Sequence, residues 1–400
     1  TCDLGYYIAL ENLKLVRYKI ITEDGFILNL YRLLNRDEDK YTTEQNNRIP
    51  VLFLHGLLQS SASFVTNGKD SLAINLFNSN KYDIWLGNNR CFFDKKSYVL
   101  KNDNNPNFWN WDLNQMYQND LSSMINFILK VNNNNNTNKI NLIAHSQGTT
   151  QSLISISNNH ENISSKLVCF VALSPAIYKG KLFDKKIFII FLNSINLFFF
   201  RLFFGILSFM PIMLNIRKLL VKNHYSIKIF GFLGYLMFNF LFDWNDKLWD
   251  RNLRNRLFLF SPVYISSKLI FWWLNDNEND GFINCSRKVF NDDIDYIHEN
   301  NSIKNNNAKN NLNNTNNKSL VPMFFFIGNK DDLVSNDLLI EHFEQFENHN
   351  YKIKDYTFNT ETSSIILCVK RIPNYSHLDV LWAKDVLETI GDPMSQFLDS

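Results

Sequence analysis

The sequence predicts an α/β fold, a doubly wound and mostly parallel sheet, and three observations carry that prediction. Short apolar runs at residues 51–54, 140–143, 166–173 and 321–327 have the length of buried strands. The run 140–143 passes through Ala144-His145-Ser146-Gln147-Gly148 into a helix-like stretch at 149–156, the order of a strand–turn–helix unit. Between Pro175 and Val321 the strand pattern stops, so a long helical segment is inserted between two core strands.

Taken in chain order, residues 14–22 and 26–33 predict an N-terminal hairpin around Asp24-Gly25, a pair that favours turns. The strand at 51–54 runs into His55-Gly56-Leu57-Leu58, where a glycine after a strand lets the backbone turn with an N–H exposed. The pentapeptide 144–148 places a serine between small residues, the layout of a nucleophile elbow. A tight turn pushes the serine oxygen out of the backbone, and small flanking residues let strand and helix approach. The usual first glycine is Ala144 here.

A nucleophilic serine needs a base, an orienting acid and an oxyanion hole. In an α/β-hydrolase fold these follow in the order oxyanion loop, Ser, Asp, His. The strand at 321–327 ends in Gly328-Asn329-Lys330-Asp331-Asp332, which sets an acid on the ligand-binding edge of a parallel sheet. Asp331 is the expected orienting acid, with Asp332 the adjacent alternative. A last strand at 363–371 precedes Ile372-Pro373-Asn374-Tyr375-Ser376-His377-Leu378-Asp379 and a helix-like stretch at 381–390. His377 has the best context for the general base. The backbone N–H groups of Leu57 and Gln147 are the expected oxyanion donors. His55 and His145 read as loop hydrogen-bonders; His160, His224, His298, His342 and His349 read as solvated.

Taken together these motifs resemble the acid lipase family, which includes gastric lipase, lysosomal acid lipase and fungal sterol-ester hydrolases. Ile21-Thr22-Glu23-Asp24-Gly25-Phe26 resembles its N-terminal hairpin, and Tyr82 through Arg90 a strand–loop after the second core helix. Phe108-Trp109 and the stretch from Met116 to Leu121 resemble the helix before the nucleophile strand; the elbow differs only at Ala144. The resemblance implies hydrolysis of long-chain acyl esters, triacylglycerols or sterol esters, and carries over Ser146, Asp331 and His377 as the triad. An acyltransferase using the same acyl-enzyme, and a non-catalytic lipid-binding protein on the same scaffold, are the alternatives.

Phenylalanine numbers 35 in the chain and crowds the middle segment, which suits an apolar cap over the serine. The expected division is a core of residues 1–178 and 319–400, with a helical cap at 179–318 that ends in an Asn/Lys-rich loop. Residues 186–214 are long enough for a membrane span. Asn193, Asn196, Arg201 and Pro211 interrupt them, and a cap that docks on a membrane or lipid droplet is the preferred expectation. With 41 basic and 39 acidic residues, charge gives no reason to expect a nucleic-acid partner. Five dispersed cysteines show no C-x-x-C and no metal-ligand spacing, so no cofactor or metal is expected. An endomembrane, lysosome-like, secreted or lipid-surface location is expected over free cytosol.

Overall fold

The computed structural model describes residues 3–38, 48–90, 97, 99–100, 105–132, 138–184, 215–217, 220, 224–242, 244–274, 281–290, 320–347, 350–356 and 366–400. Among them nine strands form one sheet: β1 (Leu13–Ile21), β2 (Ile27–Asn35), β3 (Ile49–Leu54), β4 (Tyr82–Gly87), β5 (Ile140–His145), β6 (Leu167–Leu173), β7 (Met323–Gly328), β8 (Lys352–Asp355) and β9 (Ile366–Ile372). Their order is β1-β2-β4-β3-β5-β6-β7-β9-β8. From β4 to β8 every pairing is parallel; β1 and β2 pair antiparallel with each other, and β2 antiparallel with β4. The expected α/β-hydrolase fold, doubly wound and mostly parallel, is what the chain adopts.

The central strands are apolar on both faces because helices cover both faces. Every residue of β4, β5 and β7 is buried. The sequence gives no hint of β8, whose Lys352, Lys354 and Asp355 suit a short charged edge strand. The N-terminal hairpin turns through residues 22–26, with the Gly25 N–H donating to Thr22 O and Gly25 at φ +84°.

Helices named here are α1 (Leu72–Asn78), α2 (Ser122–Val131), α3 (Gln147–Ser157), α4 (His224–Phe242), α5 (Ser267–Leu274), α6 (Gly281–Phe290), α7 (Asn336–Phe346) and α8 (Asp392–Asp399). Between β6 and β7 the described elements are helical, α4 to α6 among them. Helix α4 lies against the turn Arg254–Leu257 through two glycines. A Cβ on Gly231 would stand 2.6 Å from Asn255 backbone, and one on Gly234 would stand 3.3 Å from Phe258. Residues 186–214 and 300–318, with their membrane and Asn/Lys-loop expectations, lie outside the described residues. No helix among the described residues is long and apolar enough to cross a membrane.

Two sequence expectations fail locally. The stretch 381–390 is not one helix: Asp379–Trp382 ends at Ala383, whose ψ of 147° leaves the helix, and a π-turn at Leu387–Gly391 follows. His342 is buried rather than solvated, bonded to the Tyr178 hydroxyl at 2.8 Å and stacked on Phe290 at 3.6 Å.

Candidate active site

Strand β5 delivers Ser146 to the carboxyl edge of the sheet in a backbone conformation that L residues avoid, φ 51° and ψ −123°. Holding a non-glycine residue there costs roughly 1–3 kcal/mol, so the surroundings must enforce it. They do so from both sides of the turn. The Ser146 N–H donates to Leu173 O at the end of β6, and the Ser146 carbonyl accepts from Thr149 N at 2.8 Å and Thr149 Oγ1 at 2.6 Å. Helix α3 then starts hard against β3: a Cβ on Gly148 would sit 2.7 Å from Leu54 O and 2.8 Å from His55 O. Glycine is required at 148 for that approach. Ala144 is fully buried within β5, and its methyl fits.

The loop after β3 lies directly on the serine. A Cβ on Gly56 would stand 2.9 Å from the Ser146 Cβ and 2.9 Å from Gln59 Oε1. The Gly56 N–H donates to Gln59 Oε1, and Leu58 takes the left-handed conformation, φ 61°. Gly56 on one side and Gln147, the first residue of α3, on the other therefore flank Ser146. The first N–H groups of a helix have no carbonyl one turn earlier to bond. The Gln147 side chain is occupied elsewhere, accepting the Trp273 Nε1–H at 2.7 Å.

Asp331 and His377 arrive on two loops that are zipped together. Asn329 N–H donates to Ile372 O and Lys330 N–H to Tyr375 O, and a Cβ on Gly328 would sit 2.4 Å from that same Tyr375 oxygen. The result is a continuous chain of side chains. His377 Nδ1 lies 2.7 Å from Asp331 Oδ2, and His377 Nε2 lies 2.7 Å from Ser146 Oγ. The carboxylate accepts Nδ1–H, which leaves the Nε2 lone pair facing the serine hydroxyl. Asp331 Oδ1 accepts the Leu333 N–H at 3.1 Å, while Asp332 is exposed.

Two further histidines brace this corner, in line with their reading as loop hydrogen-bonders. His55 donates through Nδ1 to Gly56 O at 2.8 Å and accepts the Asn89 N–H at Nε2; burial lowers its pKa to about 4. His145 sets Nδ1 2.9 Å from Gln59 Oε1 and Nε2 3.0 Å from the His377 carbonyl. Burial first, then the electrostatic influence of His377, push the pKa of His145 well below its usual value. Beneath them, fully buried Arg90 pairs with Asp120 at 2.7 Å and Asp24 at 2.8 Å, with its guanidinium over Phe26.

The sequence missed the groups that cover the histidine. Trp244 stacks on His377 with ring centroids 5.4 Å apart and planes 10° apart. Trp249 Nε1–H donates to Asp379 Oδ1 at 2.6 Å. No motif marks either tryptophan within so aromatic a segment. Among the described residues no cluster of His, Cys, Asp or Glu is arranged to hold a metal, and Cys169, Cys285 and Cys368 are buried free thiols.

Comparison with known proteins agrees with this architecture. The family model described as the partial alpha/beta-hydrolase lipase region matches residues 4–68. Sterol esterase 2 of Saccharomyces cerevisiae is 41% identical over 414 residues, covering 99% of this chain and 71% of that protein. Gastric triacylglycerol lipase of Bos taurus is 34% identical over 199 residues, which are 48% of this chain and 47% of the lipase. Among solved structures, a lipase candidate from Sulfolobus solfataricus shares the fold with a TM-score of 0.51 at 13% identity, over 97% of this chain and 94% of that one. Sheet order and elbow define an α/β-hydrolase. Within that class the chain belongs to the acid lipase family, and it is a carboxylic-ester hydrolase.

Proposed function

We propose that the protein hydrolyses long-chain acyl esters, triacylglycerols or sterol esters, through an acyl-enzyme on Ser146. The observation that carries this reading is the unbroken run of contacts from Asp331 through His377 to Ser146 Oγ. Ser146 Oγ attacks the ester carbonyl carbon while His377 Nε2 takes its proton. The N–H groups of Leu57 and Gln147 hold the oxyanion; one such donor is worth about 10²–10³ in turnover. Collapse expels the alcohol, which leaves with the proton from His377. Water repeats the cycle on the acyl-enzyme, and the fatty acid departs. Asp331 fixes the imidazole tautomer and supports its positive charge.

In this reading residues 1–178 and 319–400 form the core, and 179–318 form a cap over the serine. Helix α4 turns Ile229, Phe232, Leu233, Leu236 and Phe240 to solvent, with Phe240 77% exposed. Their spacing of three and four residues puts them along one face. That face suits docking on a lipid droplet or membrane surface, from which the neutral lipid ester is drawn.

Fluorophosphonate labelling of the wild-type protein beside Ser146→Ala, with and without detergent, tests the proposal. Labelling confined to Ser146 and strengthened by detergent is expected. Labelling that persists in Ser146→Ala overturns the assignment of the nucleophile.

A further inference from the structure

The helical insertion reaches back to the histidine loop and the residues just after it through several contacts. Trp244 lays its indole on the His377 imidazole. Trp249 binds Asp379, whose other carboxylate oxygen accepts both Ser376 N–H and Ser376 Oγ–H. Lys384 N–H donates to Leu248 O at 2.9 Å. Trp244 is itself fixed. Its carbonyl accepts Asn239 Nδ2–H at 2.6 Å, and its ring stacks on Phe242 at 4.5 Å and on Phe238 at 5.7 Å.

Acyl transfer puts a positive charge on His377 twice in each turnover. Both in-plane nitrogens have partners, Asp331 and Ser146, which leaves the faces of the ring open to an aromatic neighbour. Against one of its sides packs the tilted ring of His145, 5.1 Å away. Trp244 offers a parallel aromatic surface. A cation within about 6 Å of a tryptophan centroid is attracted by the ring quadrupole, most strongly where water is excluded. Both rings are buried.

We propose that Trp244 is a positioning residue for His377 that also stabilises its protonated form through face-on contact. The inference rests on His377 being the general base. The titratable groups facing His377 are Asp331 at Nδ1, His145 at its ring and carbonyl, and Asp379 two residues on, with His55 beyond His145. Replacing Trp244 alters none of them chemically.

The experiment is the pH profile of kcat/KM for a short, soluble p-nitrophenyl ester with the full chain, per active site titrated by fluorophosphonate. Trp244→Leu is expected to lower the plateau by about three- to tenfold and to move the acid limb down by about 0.5–1 pH unit. The sign follows from charge: a less stabilised imidazolium loses its proton more readily, so the base stays neutral to lower pH. Trp244→Phe keeps a weaker aromatic face and should fall between, and it carries the test if the leucine variant does not fold. An acid limb that stays at its wild-type position, or moves up, in folded Trp244→Phe overturns the proposal. Turnover surviving in Ser146→Ala would overturn the triad reading instead, and that arm is scored separately.

Discussion

His377 is held from two sides by different kinds of force. Below, the sheet-edge loops fix it with directional contacts: Asp331 at 2.7 Å, Ser146 at 2.7 Å and the His145 bond to its carbonyl. Above, the helical insertion meets it with the flat face of Trp244, continued by Phe242 and Phe238. Hydrogen bonds weaken steeply with angle, whereas stacked rings tolerate sliding. At His377 itself, therefore, the lower side sets atomic positions and the upper side supplies an apolar cover, while the insertion is anchored beside it by the Trp249–Asp379 and Lys384–Leu248 hydrogen bonds.

Breaking the lower side at its acid should have the largest effect. Asp331→Asn is expected to lower kcat by about 10³–10⁴, because the imidazole loses the partner that fixes its tautomer. Asp332→Asn should cost less than about tenfold, since that side chain is exposed. Steady-state kinetics on one soluble ester compares them, and the reverse ranking would move the acid by one position.

The lower side also depends on buried polar groups away from the serine. Asp120→Asn removes one of the two carboxylates on buried Arg90 and leaves Asp24, so its cost should fall short of the about 3–5 kcal/mol of a buried charge left alone, read as a lowered denaturation midpoint. Acid should act in the same direction through His55. Its pKa falls from 6.5 unfolded to about 4 folded, so its contribution is complete above pH 6.5 and is lost as pH falls through 4. That difference amounts to about 3 kcal/mol, and His145 adds to it with the same sign. Urea melts between pH 7 and pH 4 check this; a flat profile across the window would contradict it.

The outer face of α4, away from His377, should respond least, and only at an interface. Phe240→Ser together with Phe232→Ser on the outer face of α4 is expected to slow hydrolysis of an emulsified ester by a few-fold while sparing a dissolved one. Equal losses on both substrates would show that this face supports the fold and not docking.

The same contrast explains what was legible in the sequence. Ser146 and Asp331 each follow a buried apolar run and His377 follows the strand beside Asp331's, and a parallel sheet puts such positions on one edge. Trp244 and Trp249 were illegible because an aromatic residue in an aromatic-rich segment carries no periodic or positional mark. The break at Ala383 was hidden for a related reason. It frees the Lys384 N–H to bond Leu248, a partner 136 positions away (384 − 248) that no local pattern announces. Strand β8 escaped because charged Lys352, Lys354 and Asp355 suit an edge and read as loop.

The strap from Trp244 to Trp249 closes on residues 377–384, long after the elbow at Ser146 has been made. During synthesis the sheet around β3, β5 and β6 can assemble with its serine in place while Asp331, His377 and the loop that grips Trp249 are still untranslated. Order along the chain therefore puts the joining of Trp244 and Trp249 to the histidine loop after the elbow, as the contact that ties the two halves of the sequence together.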